Sequence, residues 1–106
     1  MNSDMARQLH QRAIQRALEL GRGTDPTALH ELMGLLAMPS AEIRRLAASA
    51  IGKLAGFGAD AVVAVRALAP AALHDPHPQV QQYALKALRC YGVAARQGVS
   101  WLNLIP

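Results

Sequence analysis

The densest group of side chains that could bind a metal is His74, Asp75 and His77, which lie within four consecutive residues. Imidazole and carboxylate groups are common ligands of zinc and other transition metals. A closed metal site needs further ligands, and no second pair with matching spacing lies nearby in the chain. Pro76 and Pro78 make the same segment a rigid turn. We therefore interpret it as a solvated turn in which His77 caps the next helix, and we predict no metal site.

Cys90, the single cysteine, is the other candidate for chemistry. A reactive thiolate needs a neighbouring base or an electropositive site. Cys90 lies near the predicted end of a helix, where the negative pole of the helix dipole disfavours a thiolate. The seven acidic residues fall mostly at capping or turn positions, so no pair for acid–base catalysis emerges. The sequence predicts no catalytic residue, no enzyme activity and no cofactor.

The chain contains an internal repeat: residues 39–51 align without gaps on residues 76–88, 37 positions later. The alignment pairs Pro39 with Pro76, Ile43 with Val80, Ala47 with Ala84, Ala50 with Ala87 and Ile51 with Leu88. A period of this size is typical of stacked helical hairpins that bury their apolar faces against neighbouring units. Strand patterns are absent from the sequence. We expect an all-α fold of about five helices.

Caps and turn residues divide the chain into four segments. They are a leading helix at 4–21, a first repeat at 25–56, a second repeat at 60–92 and a C-terminal tail at 93–106. Asp25, Ser40 and Asp60 are the predicted N-terminal caps, and Gly92 is predicted to end the last helix.

Three positions carry more specific expectations about how these segments fit together. Pro70 should kink or break the fourth helix, because proline removes a helical hydrogen bond. Phe57 lies between two glycines and is predicted to fill the junction between units. A further shift by 37 places Leu9 under Leu46, so the leading helix is interpreted as half of a degenerate unit.

The second unit reads His-Asp-Pro-His-Pro-Gln-Val-Gln-Gln-Tyr-Ala-Leu-Lys-Ala-Leu over residues 74–88. With residues 39–54 it resembles the HEAT repeat, especially its short bacterial form, in which an Asp-x-x-Pro turn precedes Val-Arg and spaced alanines. The resemblance covers residues 25–92 and implies a short right-handed α-α superhelix. HEAT-like proteins act mainly as protein-binding scaffolds. Some are DNA-alkylpurine glycosylases, and others are lyases or chaperones in phycobilin attachment. A tetrapyrrole-attachment lyase or chaperone-like accessory protein is therefore an alternative function for this chain.

The resemblance also implies a polar ladder along the stack, formed by the turn Asp and the Arg that follows Val. Asp75 is present, but its Arg counterpart is Gln81. Conversely Arg44 is present, while the Asp position holds Met38. Each unit therefore keeps one of the two ladder residues, and a contact between Asp75 of the second unit and Arg44 of the first is possible.

The sharpest functional candidate is a basic track on the second helices of the units, off the apolar stripe. Its members are Arg12, Arg16, Arg45, Lys53, Lys86 and Arg89. The net charge of +4 and the pI near 10.0 allow attraction to acidic partners. A protein partner is the leading prediction, and phosphate-directed binding of DNA or RNA is the alternative. The track could also be only the solvated side of amphipathic helices.

The tail is too apolar for a solvated segment, since it carries Val99, Trp101, Leu102, Leu104 and Ile105. It is predicted either to cap the last helix or to form a homodimer contact. An end face of the stack is a second route to a homodimer, because an end unit lacks a neighbour. No apolar run approaches 18 residues, so we predict no membrane span. The single cysteine and the lack of a secretory signal predict a cytoplasmic protein.

Overall fold

In a computed structural model, the protein is described over residues 3–96, with side chains described over residues 3–93. Five α-helices form, and no strand occurs within this range. They are α1 (Ser3–Arg22), α2 (Leu29–Leu36), α3 (Ala41–Lys53), α4 (Ala61–His74) and α5 (Pro78–Arg96). Short 3-10 turns, Pro26–Ala28 and Leu54–Phe57, precede α2 and follow α3. The all-α fold of five helices is confirmed.

The predicted caps begin the helices of both units. Asp25 accepts hydrogen bonds from Thr27, and Ser40 and Asp60 accept from the backbone N–H groups three residues later. Each bond satisfies a backbone donor that the first turn leaves unpaired. At the other end of the first unit, Gly58 adopts φ +85°, a conformation that glycine reaches without a steric penalty.

The helices form two layers. α3 lies between α1 and α5 in one layer, while α2 packs against α3 and α4 packs against α5 from the other layer. The two units bury equivalent positions 37 residues apart. Ile43, Ala47 and Ala50 of α3 and Leu54 of the 3-10 turn after it correspond to Val80, Ala84, Ala87 and Tyr91 of α5, and all eight are buried.

Hydrogen bonds at the helix starts repeat with the same period. Arg44 donates from Nη1 to the Met38 carbonyl at 3.0 Å, and Gln81, 37 residues later, donates from Nε2 to the Asp75 carbonyl at 2.8 Å. Ser40 and His77 are likewise equivalent and both cap their helix. The two units therefore share local geometry as well as apolar pattern.

The leading helix does not follow this register. Gly52 of α3 lies beside Ala87 of α5, 35 residues later, whereas Gly21 of α1 lies beside Ala50 of α3, only 29 residues later. α1 is thus offset by about six residues from strict repetition. Leu9 is exposed, and Ala17 is the buried residue of α1.

Two further expectations were wrong, and a third was wrong in part. α5 continues through Gly92 to Arg96, because a helical glycine weakens a helix by only about 1 kcal/mol and does not by itself stop it. α4 is not broken at Pro70, since its packing on α5 through Ala64 and Leu68 outweighs one lost hydrogen bond, while the other alternative, a kink, stays a prediction. Phe57 is exposed, and Leu54 is the buried residue of the same 3-10 turn.

Candidate binding surface

His74, Asp75 and His77 lie in the turn between α4 and α5, and this turn is bonded to α3 of the first unit. Arg44 Nε donates to Asp75 Oδ2 at 2.8 Å and Nη2 donates to Oδ1 at 3.1 Å, so the pair is bidentate. Their side chains are only 13% and 7% exposed. Hydrogen bonding from Arg44 holds the pKa of Asp75 below its ordinary value, and Asp75 raises the pKa of Arg44. The predicted contact between units is confirmed.

Hydrogen bonds of His77 hold the rest of this turn in place. The His77 N–H donates to Asp75 Oδ1 at 2.9 Å, and His77 Nδ1 accepts from the Gln79 N–H at 3.2 Å. His77 thus caps α5, as predicted. Both carboxylate oxygens of Asp75 and the Nδ1 of His77 are used in structural bonds. The cluster fixes how the second unit sits on the first.

The close approach of α3 and α5 creates a groove in the layer formed by α1, α3 and α5. A Cβ built on Gly52 would lie 2.9 Å from both Cα and Cβ of Ala87, so these helix backbones nearly touch. Beside this contact lies a groove of about 130 Å³. It is lined by Ser49, Gly52, Lys53, Tyr83, Lys86, Ala87 and Cys90. Arg45 extends over the Tyr83 ring at 5.4 Å from its centroid.

The structure divides the basic track. Arg45, Lys53 and Lys86 meet at or beside the α3–α5 groove. Arg12 lies on the exposed surface of α1, away from that groove. Arg89 is exposed on α5 at the repeat position of Gly52, and it does not line the groove.

Arg16 forms ion pairs with neighbouring glutamates and does not contribute a free charge to the basic track. It donates to both carboxylate oxygens of Glu31 at 2.6 and 2.7 Å, and to Glu19 at 3.4 Å. Hydrogen bonding from Arg16 lowers the pKa of Glu31, which keeps that pair ionised. These bonds join α1 to α2, so Arg16 has a structural partner already.

The two groove lysines, Lys53 and Lys86, are not balanced by a carboxylate of the described part of the chain. All seven acidic residues of the chain lie in the described region, and each contacts another group. These contacts are Asp4 with Arg7, Glu19 and Glu31 with Arg16, Glu42 with His10, Asp75 with Arg44, Asp25 with Thr27, and Asp60 with the Val63 N–H. Within the described residues, no carboxylate pairs with Lys53 or Lys86. The groove is therefore a local site of positive potential.

A wider cleft of about 350 Å³ separates α2 and α4 in the other layer. Its walls are mostly apolar and include Met33, Leu36 and Pro70. The carboxylate at its end, Asp75, is already bonded to Arg44. The chemistry that could select a charged partner lies in the α3–α5 groove instead.

Two residues that support the groove were not singled out from the sequence. The Tyr91 hydroxyl donates to the Ile51 carbonyl at 2.7 Å, and burial raises the pKa of Tyr91. Its repeat counterpart is Leu54, so a phenol at a core position was the available signal, because a buried tyrosine hydroxyl needs a partner. Gly52 interrupts an apolar stripe, and such a glycine indicates close helix packing.

The predicted contacts of Val99, Trp101, Leu102, Leu104 and Ile105 lie outside the described residues. Among the described helices, none combines the length and apolar character needed to cross a membrane. No family model, no curated protein and no solved structure matches this chain.

Proposed function

We propose that this protein is a non-enzymatic interaction module, a short HEAT-like α-solenoid that binds an acidic segment of a partner protein in the α3–α5 groove. The observation that carries the proposal is the pair of exposed lysines, Lys53 and Lys86, that flank this groove without a described carboxylate partner. The hydrogen bonds that recur 37 residues apart support the solenoid interpretation. The right-handed superhelix implied by the HEAT resemblance is part of the same proposal.

The groove is suited to a carboxylate-bearing peptide. The two ammonium groups supply charge, and the Ser49 hydroxyl and the Tyr83 ring supply a hydrogen-bonding group and an apolar wall. Arg45 lies over the other part of that ring, which limits its motion. The Arg44–Asp75 pair and the Gly52–Ala87 contact hold α3 and α5 together, so the two lysines keep their relative placement.

The test is a fluorescence anisotropy titration of the full chain with a labelled hexaglutamate peptide at low salt. Lys53→Gln combined with Lys86→Gln should weaken binding about tenfold, because exposed charge pairs contribute up to ~1 kcal/mol each. Arg66→Gln is the matched control, since Arg66 is an exposed cation of α4 in the other layer. It should change the affinity less than twofold, because an exposed charge that does not contact the peptide contributes little to the binding free energy.

A parallel titration with a single-stranded oligonucleotide separates the alternative. Phosphate-directed binding would show a linear fall of log affinity with log salt and would exceed the peptide affinity. Loss of peptide binding on Arg66→Gln but not on the lysine changes would contradict the proposed groove. An absence of peptide binding at low salt would also contradict it.

A further inference from the structure

The outer side of the second unit, formed by α4 and α5, presents apolar side chains that its counterpart buries. Leu73, Leu85 and Leu88 stand 37 residues after Leu36, Ala48 and Ile51. Ala48 and Ile51 are fully buried, and Leu36 borders the cleft against α4. At the end of the stack, however, Leu73 is 70% exposed and Leu85 is 46% exposed. Leu88 is partly buried and also packs against the core. We call Leu73, Leu85 and Leu88 the end face.

The exposure of the end face follows from the stacking pattern. In α3, Arg45 and Gly52 contact α5, and Ala48 and Ile51 lie on the same side because residues three and four apart share a helix face. The equivalent side of α5 has no described helix against it. An apolar patch of this kind usually marks a contact surface.

We propose that residues 97–106 of this same chain cover the end face. This segment begins one residue after α5 ends, and it contains five large apolar residues and no charged side chain. Fully extended, ten residues span roughly 33 Å. The twelve helical residues from Leu85 to Arg96 span only about 16 Å, so the segment is long enough to return over Leu85 and Leu88.

The residue at position 89 argues against another helix as the occupant. α5 approaches α3 closely because Gly52 has no side chain there. The equivalent position on the end face holds Arg89, whose side chain blocks a helix at that distance. A short segment can pass beside Arg89 and cover the leucines. Its tether to α5 also gives it an effective concentration in the millimolar range, which a second copy lacks at ordinary protein concentrations.

The single tryptophan of the chain reports directly on this contact, because Trp101 lies in the covering segment. In the full chain, its emission should be blue-shifted and protected from acrylamide. Leu85→Asn should shift the emission to that of solvent-exposed tryptophan and remove the protection. Leu9→Asn is the matched control, since Leu9 is 49% exposed on α1 at the opposite end of the layer. It should leave the Trp101 signal unchanged.

Urea midpoints for both variants establish that they remain folded, as expected for changes at exposed positions. Leu73→Asn supplies a second test of the same face. A solvent-exposed Trp101 in the unmodified protein overturns the proposal, as does a protected Trp101 that responds equally to Leu9→Asn and Leu85→Asn. Light scattering should give a monomer mass. A dimer mass with protection that depends on concentration assigns the end face to a second copy instead. The inference does not depend on the proposed peptide binding.

Discussion

Replacing Gly52 with alanine tests the closest contact between the two units. The added Cβ would lie 2.9 Å from Ala87 Cα and Cβ, whereas carbon atoms pack favourably at about 3.5–4.0 Å. The helices must separate by about 0.6 Å or more, because the backbone fixes the positions of both Ala87 Cα and Ala87 Cβ, and no rotamer change can move either atom. Overpacking of this kind costs about 1–3 kcal/mol.

The same substitution also improves helix propensity, and this gain must be measured separately. Alanine favours a helix interior by about 1 kcal/mol over glycine. Gly34 in α2 provides the control, because a Cβ there would meet no atom within 4 Å. We expect Gly34→Ala to stabilise the protein by about 0.5–1 kcal/mol. Gly52→Ala should be less stable than Gly34→Ala by about 1–3 kcal/mol.

Urea unfolding followed by far-UV circular dichroism measures both changes. A difference of 1 kcal/mol corresponds to a shift of about 4–8 °C in Tm for a domain of this size, so thermal unfolding provides a second readout. The double variant Gly52→Ala, Ala87→Gly should recover only part of the loss, since the Ala87 Cα remains in the way. Equal stabilisation by Gly52→Ala and Gly34→Ala would refute the close helix approach.

Three other contacts give predictions for the same unfolding assay. A double-mutant cycle with Arg44→Met and Asp75→Asn should yield a coupling of about 1–3 kcal/mol, and a coupling near zero would contradict the observed bidentate pair. Because Arg44 lowers the pKa of Asp75 in the folded state, the contribution of this carboxylate is present above its unfolded pKa of about 3.8 and is lost as pH falls through the lower folded value. The stability gap between the unmodified protein and Asp75→Asn should therefore shrink below about pH 4, and a gap that stays constant down to pH 2 would contradict the assigned shift. Tyr91→Phe should cost about 1 kcal/mol by removing the bond to the Ile51 carbonyl, whereas Tyr83→Phe, whose hydroxyl makes no such bond among the described residues, should cost less. Asp60→Ala should cost about 1 kcal/mol and Asp60→Asn much less, because asparagine also caps helices; equal losses would argue against the cap.

The sequence predicted the parts of the fold that depend on pattern and local chemistry. The pairing of Ile43 with Val80 and Ala47 with Ala84 marked buried positions, because a repeated apolar stripe must face a neighbouring unit. Ser40 and Asp60 were identifiable as caps from their side-chain oxygens alone. The Arg44–Asp75 bond was anticipated as well, because the first unit keeps the ladder arginine and the second unit keeps the ladder aspartate.

Expectations failed where tertiary packing decides the outcome. Local propensity predicted a stop at Gly92, but α5 continues to Arg96, and it allowed a break at Pro70, but α4 runs through to His74 and packs on α5. Phe57 was assigned to a junction by its size, although flanking glycines do not fix where a side chain points. The offset of α1 was not predicted, because where α1 packs along α3 depends on tertiary contacts such as the approach of Gly21 to Ala50.

The sequence predicted that the candidate surface would be basic, but it did not predict which basic residues would remain available to a partner. Five of the six basic residues shared a repeat position or a neighbouring one, yet Arg16 turned out to bind Glu31. That pairing depends on how α1 meets α2, which no single-sequence pattern encodes. Lys53 and Lys86 stayed available because their helices place no described carboxylate opposite them.

The most direct test of the proposed binding surface is an NMR titration of ¹⁵N-labelled full-length protein with the hexaglutamate peptide. The account predicts that the largest amide shift changes map to Ser49, Lys53, Tyr83, Lys86 and Cys90, which line the α3–α5 groove. Amides of α2 and α4 should change little. Shift changes concentrated on α1 or along the α2–α4 cleft, or none at saturating peptide, would contradict it.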